Sequence, residues 1–235
     1  MPPAQLASRP AAASAPRADL RAELEDWISD RAFPCVGAKS ALARRSLHML
    51  LARDITSAWN DVQIHDALLH WAWEYRSNPG GLRSLAVVFE GPDDLTEKQF
   101  ETHLWNRLQS LADKDHWRGQ PYDNRVSADP DSPHFSLSFG GEAFFVVGLH
   151  PHASRPARRF GRPTLVFNLH DQFEKLRKEG RYEKMRAAIL ERDRKLAGDI
   201  NPMLARHGEA SEAQQYSGRK VSADWSPPFC DKRAR

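Results

Sequence analysis

Apolar residues recur at intervals of three and four along several stretches of the chain, which is the spacing that places them on one face of a helix. Leu24, Trp27 and Ile28 follow this spacing and predict a helix that begins near Arg17. The same spacing predicts helices over residues 39–54, 61–73, 95–115 (capped by Thr96) and 172–197. Gly180 predicts a break within the last of these helices.

Short continuous runs of apolar residues, rich in β-branched and aromatic side chains, predict buried strands. One run covers residues 84–89, and another covers residues 163–168. Residues 135–139 and 143–149 flank the pair Gly140-Gly141 and predict a hairpin. Because the predicted helices and strands segregate along the chain instead of alternating, we expect an α+β fold with a central, mostly antiparallel sheet flanked by helices.

Composition divides the chain into one domain and two tails. Residues 1–16 are rich in Ala, Pro and Ser, and they are predicted to be disordered because they bury too little surface to offset the entropy of ordering. Residues 17–230 are predicted to form a single domain, and residues 231–235 a C-terminal tail. Hydrophobic residues make up 40% of the chain, which is enough for a core of that size.

Charge and cysteine content exclude several classes of protein. The 34 basic residues are nearly balanced by 31 acidic ones, so a polybasic nucleic-acid binder is not expected. Cys35 and Cys230 lie too far apart to suggest a disulfide framework or a zinc site, and reduced thiols are typical of the cytoplasm. Without a run of about 18 apolar residues or the apolar core of a signal peptide, we expect a cytoplasmic protein that does not span a membrane.

The loop that follows the predicted hairpin gathers imidazoles and guanidiniums. His150 and His152, with His170 further on, could bind iron or zinc. Alternatively, one imidazole could ligate a haem iron in an apolar pocket while basic residues bind the propionates. The candidate propionate partners are Arg155, Arg158 and Arg159. A solvated basic loop after a core strand is the alternative without a ligand.

Cys35 stands at the predicted entry to a helix, where a helix N-terminus lowers the pKa of a thiol. It is therefore a candidate nucleophile or iron ligand, although a small buried cysteine at a helix entry explains the position equally. Asn168, His170 and Glu174 follow a predicted strand and open a helix. They could cap that helix, or they could help to hold an anionic ligand at its N-terminus.

Several motifs together resemble the YqcI/YcgG family over about residues 20–230. They are Phe33-Pro-Cys-Val-Gly-Ala-Lys39, the segment 144–159 (FFVVGLHPHASRPARR), Phe167-Asn-Leu-His-Asp-Gln-Phe-Glu174, Asn201-Pro202 and Gln215-Tyr-Ser-Gly218. Members of that family include haem-dependent N-hydroxylases of guanidino compounds, such as those of guanitoxin biosynthesis and the arginine N-hydroxylases. The resemblance therefore implies haem b and a monooxygenase that uses O2 or peroxide, with an electron donor, on a guanidino compound such as L-arginine.

For a haem site, the positions of the residues order the candidates, because His150 ends an apolar strand and the arginines lie close to it in sequence. His150 is the expected iron ligand, with His170 second and Cys35 third, and Arg155, Arg158 and Arg159, with Lys39 as a further base, are the expected propionate partners. Asn168 and Glu174 are the expected catalytic residues. Glu174 and Asp171, and more weakly Glu142, are the carboxylates that would face a cationic guanidinium. The alternative function is a haem-binding or redox-sensing protein without turnover.

Overall fold

The computed structural model describes residues 17–199, 201, 203, 208–222 and 224–234. The tail predicted to be disordered, residues 1–16, lies outside the described residues. Within them the helices are α1 (Arg17–Ser29), α2 (Val36–Ala43), α3 (Asp61–Ser77), α4 (Glu97–Trp117), α5 (His170–Lys178), α6 (Tyr182–Ala197) and α7 (Ala213–Tyr216). The strands are β1 (Leu47–Asp54), β2 (Ser84–Gly91), β3 (Leu137–Phe139), β4 (Glu142–Leu149) and β5 (Thr164–Leu169). A short 3-10 helix, Pro156–Arg158, lies between β4 and β5.

The strands form one sheet in the order β1-β2-β5-β4-β3. β1 runs parallel to β2, and the other three neighbouring pairs are antiparallel. Helices cover both faces, so the predicted α+β fold with a mostly antiparallel central sheet is confirmed. The single parallel pair needs a crossover connection, which α3 supplies.

Local sequence signals account for several element ends. Thr96 and Gln99 form a capping box at the start of α4, because each side chain bonds the backbone of the other residue. Gly140 and Gly141 both have positive φ angles, 59° and 80°, and turn β3 into β4. Gly180 has a φ of 68° and separates α5 from α6, as predicted.

The prediction of one continuous helix over residues 39–54 is wrong, because its second half forms β1. Helix α2 ends at Ala43, and Arg45 takes a left-handed conformation with a φ of 56°. Ser46 Oγ then donates to the carbonyl of Leu82 at 2.7 Å, which aligns β1 with the start of β2. Parallel pairing along β2 overrides the helix propensity of a segment rich in Leu, Met and Ala.

The two faces of the sheet are packed differently. On one face, α3 and α4 cover a large apolar core that includes Phe144, Val146 and Phe167. On the other face, a smaller core joins Val88 and Leu149 to residues of α1. Four residues of β4 and β5 on this second face are only partly buried, namely Phe145, Val147, Val166 and Asn168. The second face of the sheet is therefore incompletely covered.

The end of the described chain is bonded to the domain. Arg233 donates to Asp115, and it donates twice to Asp231, which is buried. Residues that the sequence assigns to a C-terminal tail therefore pack against α4. Among the described helices, none combines the length and the apolar character that crossing a membrane requires.

Candidate functional site

A cavity of about 290 Å³ lies between the incompletely covered face of the sheet and helices α1, α2 and α6. Its sheet side is formed by Ala86, Val147 and Val166. Apolar side chains of the surrounding helices and loops complete the wall, among them Leu24, Ile28, Phe33, Phe173, Met185, Ile189 and Leu190. A cavity of this size and lining suits a largely apolar ligand whose orientation is fixed by a few polar groups.

Helix α6 closes one side of the cavity and is fastened by an ion-pair cluster. Arg155, in the loop after β4, donates to Asp193 in α6 and to Asp199 just beyond it. The side chains of Arg155 and Asp193 are 12% and 6% exposed, whereas that of Asp199 is 70% exposed. Arg155, predicted to bind a propionate, thus lines the cavity but already has two carboxylate partners.

Arg158 lines the same cavity, but its guanidinium donates hydrogen bonds to backbone carbonyls instead of carboxylates. Its Nη1 donates to the carbonyls of Gly148 and Tyr216 at 3.0 and 3.3 Å, and its Nη2 donates to that of Gln215 at 3.0 Å. No carboxylate of the described residues lies within 4 Å of its guanidinium. Burial lowers the pKa of Arg158 to about 10, since removal from water disfavours the charged form. An anionic group in the cavity would supply the missing counter-charge.

Cys35 is the N-cap of α2 and also lines the cavity. Its Sγ accepts the backbone N–H of Ala38 at 3.4 Å. The expectation of a lowered pKa is wrong, because burial raises the pKa of the Cys35 thiol more than the backbone hydrogen bonds and the charge of Arg158 lower it. In the protein alone this cysteine is therefore a thiol and not an activated thiolate.

His170 and Glu212 form a buried pair on the cavity wall. They are 7% and 6% exposed, and His170 Nδ1 lies 3.6 Å from Glu212 Oε1. Ser136 Oγ donates to Glu212 Oε2 at 2.6 Å and lies 3.3 Å from the same ring nitrogen. On its other side, His170 Nε2 lies 3.4 Å from Glu174 Oε1. Sequence reasoning missed Glu212, although it stands three residues before the Gln215-Tyr-Ser-Gly218 motif.

Asn168 lies on the cavity side of β5, as expected for a residue that meets a ligand. Its Oδ1 accepts the hydroxyl of Ser84 at 2.7 Å, and its Nδ2 donates weakly to the carbonyl of Val166 at 3.4 Å. The amide is thus held in place, while its Nδ2–H groups retain donor capacity toward the cavity.

The carboxylates predicted to face a substrate are outside the cavity lining. Glu174 accepts a hydrogen bond from Arg177 beside its contact with His170. Asp171 accepts the hydroxyl of Tyr75 at 2.7 Å and lies 2.8 Å from Lys175 Nζ. Glu142 pairs with Arg125 at 2.8 Å. Each of the three carboxylates is therefore already paired with a basic residue of the protein.

His150 lies on the opposite face of the sheet from the cavity. Its ring stacks on Phe100 of α4, with 4.3 Å between the centroids, and the residue is 0% exposed. The strand alternates its side chains, so Leu149 points to the cavity and His150 to the α4 side. The structure thus does not bring His150 together with His170, and the described residues contain no group of three or more His, Cys, Asp or Glu side chains that could hold a metal ion.

Two further predicted cofactor-binding residues also lie elsewhere. Arg159 donates to the carbonyls of Ala153 and Ser154 at 2.6 and 2.9 Å and so stabilises the loop that contains it. Lys39 donates to the carbonyl of Asp30. Of the candidates from the sequence, the cavity therefore brings together Cys35, Arg155, Arg158, Asn168 and His170.

Comparison with known proteins gives one match. The family model described as YqcI/YcgG family matches residues 24–230, which is most of the chain. The comparisons with curated proteins and with solved structures gave no match. The matched region contains every residue of the cavity wall discussed above.

Proposed function

Because the chain belongs to the YqcI/YcgG family, whose members include haem-dependent guanidino N-hydroxylases, we propose that it is a haem-dependent monooxygenase. Its substrate would be a guanidino compound such as L-arginine or a derivative. The observation that carries the proposal is the cavity itself: an incompletely covered apolar sheet face beside Arg158, a cation without a carboxylate partner among the described residues.

The chemistry of the lining fits haem b, a flat apolar ring that carries two carboxylates. Val147 and Val166 offer an apolar surface for the ring. Arg158 would pair with a propionate, since guanidinium binds carboxylate with good geometry and needs a counter-charge here. Arg155 would keep α6 in place over the cavity instead of binding a propionate itself.

We propose Cys35 as the iron ligand in place of His150. Cys35 lines the cavity and its Sγ accepts only weak hydrogen bonds from the backbone of α2, whereas both ring nitrogens of His170 already contact a carboxylate or a hydroxyl. A thiol that coordinates a metal is deprotonated, so Cys35 would lose its proton on binding the iron, and its raised pKa would make that binding weaker as the pH falls. When bound, a thiolate-ligated haem would supply the activation of oxygen that the reaction needs.

The proposed reaction forms one N–O bond on the guanidino group. With O2 as oxidant, one oxygen atom enters the substrate and the other leaves as water, which requires two electrons from a donor and two protons. With hydrogen peroxide, the second product is also water and no donor is needed. The apolar walls would exclude bulk water, and Asn168, fixed by Ser84, would orient the substrate through its amide.

The decisive experiment is to load the purified full chain with haem and to record its spectrum and its turnover of L-arginine. We expect a Soret band and an N-hydroxylated product with either a reductant and O2 or peroxide. A Soret band without product from any guanidino compound would favour the alternative, a haem-binding or redox-sensing protein. Absence of a Soret band would refute both. We also propose a cytoplasmic location, since Cys35 and Cys230 are both free thiols.

A further inference from the structure

The polar residues that line the cavity differ in how far their side chains are already hydrogen-bonded within the protein. Gln172 bonds the backbone of Arg83 with both atoms of its amide, at 2.8 and 3.2 Å. Ser84 donates to Asn168 at 2.7 Å. In contrast, the amide of Gln215 makes no hydrogen bond with any residue that the structure describes. A ligand in the cavity can therefore bond this amide without breaking a bond of the protein.

The burial of Gln215 makes an amide without a hydrogen bond unusual. The residue is 7% exposed and belongs to α7, which packs against β4. Most polar groups buried to this extent have a hydrogen-bond partner, because their removal from water otherwise costs free energy. Neither atom of the amide is fully enclosed by the protein. Because Gln215 lines the cavity, a ligand bound there is within reach of the amide.

Arg158 is a direct neighbour of Gln215 and also retains donor groups. Its Nη2 donates to the backbone carbonyl of Gln215 at 3.0 Å, and both residues line the cavity. A guanidinium has five N–H donors, and three of those of Arg158 bond backbone carbonyls. The Nε–H and one Nη2–H have no acceptor within the part of the chain that the structure describes. Donor groups of two residues are therefore available at one place on the cavity wall.

The charge of Arg158 decides which kind of ligand group this place can bind. A cationic group would be repelled by the guanidinium, whereas an anionic group would be attracted. A carboxylate offers about four acceptor positions on its two oxygens, so it can accept N–H groups from a guanidinium and from an amide at the same time. Hydrogen bonds to a charged acceptor are stronger than those between neutral groups. A carboxylate is therefore the group that uses the donors of both residues.

We propose that Gln215 and Arg158 together bind one carboxylate of the ligand. Arg158 supplies the charge, and Nε2 of Gln215 donates a further hydrogen bond that fixes the orientation of the carboxylate. The nature of the ligand rests on the function proposed above, which offers two sources of this group: a propionate of haem b or the α-carboxylate of an amino-acid substrate. The new element is Gln215, to which the sequence analysis assigned no role.

The first arm of the test asks whether the carboxylate is a propionate. Haem and haem dimethyl ester, in which both propionates are esterified, are titrated into the haem-free full chain and followed by absorption. Gln215→Leu should weaken haem binding by about ten- to a hundredfold, because it loses a hydrogen bond to a charged group, and should leave binding of the ester within a few-fold of wild type. Gln214→Leu is the matched control, since Gln214 lies in the same helix but lines a different pocket. It should bind haem like the wild type.

The second arm asks whether the carboxylate belongs to the substrate. Binding of arginine is compared with that of agmatine, which lacks the α-carboxylate, by calorimetry on the haem-free and the haem-loaded chain. A site for the substrate carboxylate would make the wild-type protein bind arginine at least about tenfold more tightly than agmatine. Gln215→Leu should then remove most of this preference, and Gln214→Leu should keep it. An effect of Gln215→Leu in one arm alone identifies the source of the carboxylate.

A wild-type protein without a preference for the carboxylate compound in either arm would overturn the proposal, and so would equal effects of Gln215→Leu and Gln214→Leu. If Gln215→Leu does not fold, as judged by its melting curve, Gln215→Glu replaces it. That variant keeps the size of the side chain and places a like charge beside the carboxylate, so it should weaken binding of the carboxylate compound in the same arm.

The outcomes for the proposed enzyme are separate from those for this site. Arginine binding that depends on Gln215, in a protein without a Soret band, would refute the haem enzyme and retain the carboxylate site. Turnover in a protein whose affinities for haem and arginine are unchanged in Gln215→Leu would retain the enzyme and refute the role of Gln215.

Discussion

The imidazole of His150 stacks on the ring of Phe100, with 4.3 Å between the centroids and 20° between the planes. Neither ring nitrogen has a hydrogen-bond partner among the described residues, and the side chain is inaccessible to solvent. Because burial penalises the charged form, the pKa of His150 is lowered to about 4. This histidine therefore behaves as a neutral aromatic core residue, and its main measurable consequence is an effect of pH on stability.

The first prediction follows from that pKa. Between pH 6.5 and pH 4 the unfolded chain binds a proton at His150 that the folded chain does not, so the free energy of unfolding should fall as the pH decreases through this range. The stability that the neutral His150 contributes is fully present above pH 6.5 and is lost below pH 4. A difference of about 2.5 units corresponds to on the order of 3 kcal/mol. Urea denaturation at a series of pH values measures it.

The control is His150→Leu, which keeps an apolar side chain of similar size and removes the titrating group. Relative to wild type, this variant should gain on the order of 3 kcal/mol of stability between pH 7 and pH 4. Subtracting the two curves cancels the carboxyl groups that titrate in both proteins. Parallel curves for wild type and variant would show that His150 titrates normally in the folded state.

His150 also shows where reasoning from the sequence reaches its limit. Strand β4 is apolar on both faces, because helices cover both sides of the sheet. Apolar and polar residues therefore do not alternate along β4. The sequence alone does not show which side chains point to the cavity and which point to α4, so the orientation of His150 could not be predicted. The hairpin itself was predictable, since Gly140-Gly141 is a strong turn signal.

Neither the strand β1 nor the position of Glu212 at the cavity was predicted from the sequence, and the reasons differ. The segment Leu47–Asp54 is rich in strong helix formers, and its state is decided by pairing with β2, which is remote in sequence. Glu212 reaches the cavity through a contact with Ser136, which lies 76 residues earlier in the chain. Arg158, Asn168 and Cys35 were candidates from the sequence because of their residue types at a helix entry or after a strand, and all three line the cavity.

The second prediction concerns the iron ligand. Cys35→Ser should remove the strongly red-shifted ferrous-CO Soret band that marks thiolate ligation, because an alcohol is a much poorer ligand for iron. The matched control is His150→Leu, which should retain both haem content and spectrum, since His150 lies across the sheet from the cavity. Loss of haem in His150→Leu with an unchanged spectrum in Cys35→Ser would restore His150 as the ligand.

The third prediction uses two neighbouring arginines with different surroundings. Arg158→Met should weaken haem binding by about ten- to a hundredfold, because the variant loses a charge-assisted contact to a propionate. Arg159→Met should bind haem like the wild type, since Arg159 contacts the carbonyls of its own loop. Spectrophotometric titration of haem-free protein gives both affinities.

Arg158 also bonds three backbone carbonyls, so Arg158→Met is expected to melt at a lower temperature as well. The affinity is therefore measured below the melting range of the variant. Arg158→Lys, which keeps the charge but not the forked geometry, should fall between Arg158→Met and wild type. Equal haem affinities in Arg158→Met and Arg159→Met would assign the propionates to other bases.

The fourth prediction concerns the closure of the cavity by α6. Arg155→Met leaves the carboxylate of Asp193 buried without its cation, which should cost on the order of 3 kcal/mol of stability and speed amide hydrogen exchange in α6. Asp199→Asn removes the exposed partner of the same arginine and should cost less than about 1 kcal/mol. The double variant Arg155→Met/Asp193→Leu should recover part of the loss, because it leaves no unpaired charge buried and Asp199 is exposed to solvent. Equal effects of Arg155→Met and Asp199→Asn, or unchanged exchange in α6, would show that this cluster does not hold the helix over the cavity.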